Sequence, residues 1–242
     1  MGKAREALRV LLIQIRSHRA AEQQEYLCFL ERCGLRPDQL ATHNLVDDPA
    51  IAWEDVAGFD AVLIGGAGGH SATREHPFTA PLAEVVLRLI DDDRPLFGSC
   101  WGHQFLAWAC GGTVIADHEN EEVGTHTVEL TAEGARDPLL AGFPRRFAVQ
   151  LGHHDRIGVL PPGFQVLARS ERCPHQAIRL EGKPVYGSQF HSELTESHIR
   201  ERLMMYRDEY LPPDADPALL DEILGPSEWA DGILDRFLAL ST

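Results

Sequence analysis

The feature that most constrains the fold of this chain is the passage Leu96-Phe97-Gly98-Ser99-Cys100-Trp101-Gly102-His103-Gln104, which runs on into Phe105, Leu106 and Trp108 at helical spacing. A short apolar strand turns here into an apolar helix, and glycines two before and two after a cysteine permit the tight turn. Such a turn lifts the thiol above the end of its strand, where the free amides and dipole of the following helix favour a thiolate and offer donors to a developing oxyanion. The same residues also fit a buried structural cysteine flanked by turn glycines. Strand followed by helix is the repeating unit of a parallel α/β sheet, and the neighbouring sequence repeats it.

Residues 10–15 read as a buried strand and 20–31 as a helix with Tyr26, Leu27 and Leu30 on its apolar face, stopped by Gly34. A second strand is expected at 61–64, a helix at 81–89 and a third strand at 95–97. Short apolar runs at 124–130, 147–151, 164–169, 177–180 and 185–190 follow so closely that they predict antiparallel pairing at the edge of the sheet. Residues 197–206 look helical, Pro212-Pro213 breaks that helix, and Trp229, Ile233, Leu234, Phe237 and Leu238 are spaced as a terminal amphipathic helix. The expectation is one domain over 1–242, with a catalytic core at about 9–195 and a helical extension at about 197–242. No low-complexity linker divides it.

Charge narrows the partners. The chain carries 37 acidic against 22 basic residues, a formal charge of -15, and phosphate backbones reward the opposite sign. No nucleic-acid partner is expected. The apolar run near the start reaches only from Val10 to Ile13, too short for a membrane span or a secretory core, so no membrane partner and a cytoplasmic location are expected. Cysteines at 28, 33, 100, 110 and 173 are odd in number and lack the dense spacing of a disulfide framework. Cys28 reads as helix packing, and Cys110-Gly111-Gly112 as the end of the helix that Cys100 begins.

A thiol nucleophile needs a base. His191 directly follows the last strand, and Glu193, two residues on, is close enough to orient its ring. His153-His154-Asp155 at another strand end and His103 inside the nucleophile helix are the competing histidines, and none of them has a compact metal-ligand spacing. No metal is therefore expected. At the end of the second strand, Gly65-Gly66-Ala67-Gly68-Gly69 exposes backbone N–H groups. They suit an oxyanion hole better than a dinucleotide loop, because the spaced glycines and later ribose-binding acid are poorly met.

Taken together in order, these residues resemble the class I glutamine amidotransferases, a family that includes the glutaminase part of GMP synthetase. Gly98-Ser99-Cys100-Trp101-Gly102-His103-Gln104 resembles the family's Gly-x-Cys-x-Gly-x-Gln turn, and Gln189-Phe190-His191-Ser192-Glu193 its Gln-Phe-His-Pro-Glu segment. Glu122-Val123-Gly124, Gly152-His153-His154-Asp155 and Gly65-Gly66-Ala67 resemble its Glu-x-Gly, Ser-His-x-Asp and Gly-Gly-Pro stretches. The resemblance implies a three-layer, mostly parallel flavodoxin-like α/β sheet with helices on both faces. It implies Cys100 as nucleophile, His191 as base and then acid, Glu193 as its orienter, and the amides of Gly66 and Trp101 as the oxyanion hole. Gln104, Gly65, Gly152 and His153 are implied as substrate contacts, with no cofactor.

Ala67 stands where the family has proline, Gly152 where it has serine, Ser192 where it has proline, and Trp101 where Tyr or Leu is frequent. Trp101 and Gly152 sit where substrate belongs, so the preferred donor is open: free glutamine, or a γ-glutamyl conjugate cleaved by a stand-alone γ-glutamyl peptidase or hydrolase. The 49 residues after Glu193 are too few for a synthetase domain. The ammonia is then expected to pass to a separate acceptor subunit or to be released by a self-sufficient hydrolase. Trp229, Ile233 and Phe237 are expected either to cover the sheet edge or to form a homodimer contact, and an idle binding or regulatory module is the reading from another class.

Overall fold

A computed structural model describes residues 4–212, 216 and 218–241. Pro213, half of the expected helix break, lies outside the described residues. In chain order the elements are β1 (Val10–Ile15), α1 (Arg19–Arg32), β2 (Leu40–Asn44), α2 (Trp53–Val56), β3 (Ala61–Ala67), α3 (Thr79–Asp91), β4 (Leu96–Ser99), α4 (Trp101–Ala109) and β5 (Thr113–Ala116). Then come β6 (Glu122–Leu130), α5 (Ala132–Arg136), β7 (Arg146–His153), β8 (Asp155–Val159), β9 (Phe164–Arg169), β10 (Ala177–Leu180) and β11 (Val185–Ser188). The C-terminal part holds α6 (Glu196–Met205), α7 (Arg207–Tyr210), α8 (Leu219–Ile223) and α9 (Ile233–Leu240).

Nine strands form one sheet in the order β2-β1-β3-β4-β11-β10-β9-β6-β7. The half from β2 to β11 is parallel, and from β11 onward every pairing is antiparallel, so the sheet is evenly mixed rather than mostly parallel. Parallel strands are covered on both faces, which is why β1 reads as an unbroken apolar run. Val10 and Leu12 join one core with Phe29 of α1 and Phe237 of α9, while Leu11, Ile13 and Ile15 join the other with Leu82 and Val86 of α3 and Phe105 of α4. Ile233 and Phe237 are each 1% exposed, and the Phe237 ring lies 5.4 Å from that of Phe97 on β4. These two side chains take the first of the two uses expected of them, covering the sheet, though on its face and not its edge. Trp229 lies just before the helix, half exposed.

Helix α1 corrects a second expectation. Leu27 is half exposed, whereas Ala21, Gln24, Glu25, Cys28 and Phe29 face inward. The inner face thus carries a carboxylate and an amide, which a search for apolar periodicity passes over. Among the described residues no helix is long and apolar enough to cross a membrane.

Candidate active site

The C-terminal ends of β4 and β11, adjacent and parallel, bring Cys100 together with His191 and Glu193. Cys100 sits between β4 and α4 with φ 49°, a backbone region costly for a residue with a Cβ, and its N–H donates to the Ser188 carbonyl at 2.8 Å. The turn is possible because Gly98 and Gly102 let strand and helix touch. A Cβ on Gly98 would stand 2.5 Å from the Gly102 carbonyl oxygen, and one on Gly102 would overlap the Ile64 carbonyl of β3. The Cys100 side chain, 6% exposed, points at a cavity of about 290 Å³ that Trp101, Gly152, His153 and Ala67 also line.

His191 lies beyond the end of β11, its N–H donating to the Gln150 carbonyl at 2.9 Å. Its Nδ1 is 2.6 Å from Oε1 of Glu193, and the other carboxylate oxygen accepts from Ser99 Oγ at 2.8 Å. Burial alone would drive the proton off His191, but Glu193 and the Cys100 sulfur outweigh it and hold its pKa above the ordinary histidine range. For Glu193, burial would raise the pKa, yet the His191 imidazole, Arg202 and Ser99 hold it well below the ordinary carboxylate range. Glu193→Gln removes the charge that holds the imidazolium while leaving the burial. The alkaline limb of the kcat profile should therefore move down by about one pH unit or more. A limb that stays in place would show that Glu193 does not set the His191 proton affinity.

The other expected contacts divide. Gly152 and His153 line the cavity, and the Cys100 thiol reaches toward the Gly152 carbonyl at 4.0 Å. A Cβ on Gly152 would meet nothing closer than Leu203 at 3.9 Å, so the missing serine side chain leaves room. Gln104 is buried, and its amide nitrogen is taken by the Asp155 carbonyl at 2.6 Å and by Gln189 Oε1 at 3.1 Å. It nonetheless lines the cavity, beside Gly152 and His153. Gly65 is absent from the lining because it packs under Glu25, whose Oε1 would be 2.6 Å from a Cβ there. The amide of Gly66, expected to face the oxyanion, donates to that same Glu25 oxygen at 3.2 Å. Trp101 lines the cavity while its ring stacks on Phe105 at 4.8 Å, the residue being 3% exposed.

Sequence reasoning missed two features of the site. Gln189 donates to the Cys100 sulfur at 3.7 Å, and its signal lies within the Gln-Phe-His segment. Tyr206 packs on Gly68, where a Cβ would overlap its ring, while Glu209 and Tyr210 of α7 wall the cavity. Nothing in local sequence points there. Of the rival histidines, His103 is fully buried against Gly187, and burial pushes its pKa down to about 3, so it serves packing. His153 is tied to Glu122 at 3.2 Å and His154 to Glu121 at 2.7 Å. Among the described residues only His118, Glu121 and His154 gather metal-type ligand atoms, and Glu121 already pairs with His154. The other thiols are buried or partly so, burial pushing Cys28 and Cys173 up to about 12 and Cys110 to about 11.

Comparison with known proteins identifies the family. A family model described as "Glutamine amidotransferase class-I" matches residues 37–207. One relative, from Pyrococcus abyssi, is a subunit of a glutamine-hydrolyzing GMP synthase; it is 39% identical over 122 residues, half of this chain and 63% of that protein. The glutamine-hydrolyzing GMP synthase of Thermosipho melanesiensis is 34% identical over 144 residues, 60% of this chain but 26% of that protein. The chain thus spans between a quarter and about three fifths of the length of these relatives. A crystal structure of a glutamine amidotransferase from Thermotoga maritima superposes with a TM-score of 0.78 and 21% identity, covering 97% of each chain, which shows a shared fold.

Proposed function

Because this chain belongs to the class-I glutamine amidotransferase family, we propose that it hydrolyses a γ-carboxamide of the glutamine type through a thioester on Cys100. The single observation that carries the reading is the set Cys100, His191 and Glu193 at the ends of two neighbouring strands, with Cys100 lining the cavity. In the first half, Cys100 sulfur attacks the carboxamide carbon. His191 gives its proton to the departing ammonia, and Glu193 keeps the ring in the tautomer and orientation that this needs. In the second half His191 takes a proton from water, the hydroxide attacks the thioester carbon, and the sulfur leaves with the acid as product. The amide of Trp101 at the first turn of α4 has no intrahelical acceptor and is one donor to the tetrahedral oxygen. The loop 65–69 supplies the second. No metal or organic cofactor enters this sequence.

The destination of the ammonia is the finer part of the proposal. The Pyrococcus relative is one subunit of its enzyme, and transfer to a separate acceptor protein is the alternative for this chain. Release to water is favoured by Tyr206 and α7. The chain's own C-terminal segment lies on Gly68 and walls the cavity, where it supplies the glycine-rich loop with a support that a partner would otherwise have to give. An ammonia-release assay on the purified chain with glutamine and a panel of γ-glutamyl amides tests this. The expected kcat/KM on at least one donor is about 10⁴ M⁻¹s⁻¹ or above with no added protein. Covalent labelling of Cys100 by a γ-electrophilic glutamine analogue with negligible turnover on every donor would instead favour the separate acceptor.

A further inference from the structure

Beside the nucleophile lies a charged pair that the mechanism above does not use. Arg16 Nη2 and Glu25 Oε1 meet at 2.6 Å with side chains 2% and 0% exposed. Desolvating two charges is costly, and an apolar pair would fill the space at no such cost. The pair has a third member: Glu25 accepts the Gly66 N–H at 3.2 Å. Arg16 in turn stands over the same glycine. A Cβ on Gly66 would lie 3.1 Å from Arg16 Nη2, 3.0 Å from His191 Cε1 and 3.7 Å from Cys100 Cβ. Glu25 thus fixes one peptide of the loop within touch of nucleophile and base.

The direction of that peptide matters more than its place. Helix α1, which carries Glu25, follows β1, and β1 borders β3 on the side away from β4. Successive N–H groups along an extended strand point to opposite edges. With the Gly66 amide turned toward α1, the next one, that of Ala67, is turned toward β4 and Cys100. Pairing of β3 with β4 ends at Ile64 and Gly98, which leaves this edge of Ala67 beyond the reach of the ladder. The cavity agrees, since Ala67 and Gly68 line it and Gly66 does not. An alanine here also has an N–H to give, which a proline would not.

We propose that the amide of Ala67, together with that of Trp101, receives the oxyanion, and that Glu25 is the positioning residue that arranges this by holding the Gly66 N–H. The inference rests on the hydrolytic reading above. It is tested on the donor with the best turnover in the ammonia assay. Ala67→Pro removes the N–H, and the joint change Arg16→Met with Glu25→Leu frees the Gly66 amide without stranding a charge. Both should lower kcat about 100-fold with KM within about twofold, the size expected for one oxyanion donor. Glu25→Gln, which keeps an acceptor for Gly66, should stay within about tenfold of the parent. Parent-like kcat in either of the first two would overturn the proposal, as would a freed Gly66 that raises turnover. If Ala67→Pro does not fold, the joint variant decides, with thermal melting as the check on its fold. A parent with no turnover on any donor would instead remove the hydrolytic reading itself.

Discussion

Cys100→Ala should release no measurable ammonia from any amide donor, a loss of at least about 10⁴-fold, while melting close to the parent temperature. The substitution deletes one sulfur atom at the rim of the cavity and leaves a β-carbon in the same strained turn, so the φ of 49° costs both proteins alike. The four other cysteines cannot take over, for burial raises the pKa of Cys28, Cys33, Cys110 and Cys173 alike and holds their thiols protonated. Steady-state ammonia release, with intact-mass detection of the γ-electrophilic analogue, reads the outcome. Turnover within tenfold of the parent, or one equivalent of label on the alanine variant, would end the assignment of Cys100 as nucleophile.

Gly98→Ala should damage both fold and activity, although it adds a single methyl group. Its Cβ would stand 2.5 Å from the carbon and oxygen of Gly102 and 2.6 Å from the His103 nitrogen, all backbone atoms that cannot rotate aside. Helix α4 must then lift from β4, and the Trp101 amide moves with it. Overpacking of this kind costs about 3 kcal/mol or more, which for a chain of this size lowers Tm by roughly 6–12 °C. A shift of about 1 Å in a donor costs on the order of 100-fold in kcat. Calorimetry and the ammonia assay measure the two effects separately. A Tm within about 1 °C of the parent would show that the elbow has slack that the distances deny.

The proximity of Cys100, His191 and Glu193 was legible because the signal of each segment is written locally. Glycines at 98 and 102 announce the turn, and His191 and Glu193 sit two residues apart just past a strand, so tertiary structure had only to bring two segments together. The buried strands were legible for the same reason, their apolar runs being continuous. Strand β2 was not: at the sheet's edge only Leu40 of Leu-Ala-Thr-His-Asn is buried, so it carries almost no apolar signal. The inner face of α1 was misread because Glu25 and Gln24 are buried by partners distant in sequence, Gly66 in one case and Arg202 in the other. Such pairs have no periodicity. Helix α7 is four residues long with none buried, and its place at the cavity wall follows only from the packing of α6 and Tyr206.

The contact of Phe237 with Phe97 joins α9 to the strand beneath the thiol, 140 positions earlier. A ribosome makes roughly 5–20 residues per second, so the strand waits about 7–28 s for the helix that covers it. During much of that time β4 lacks its parallel neighbour β11, the thiol lacks His191 and Glu193, and the loop lacks the ring of Tyr206. The apolar face of β4 is meanwhile bare, a natural target for chaperones that hold unfinished chains. On the proposed roles, synthesis itself keeps Cys100 idle, since His191, Glu193 and Tyr206 are made only after every strand of the sheet.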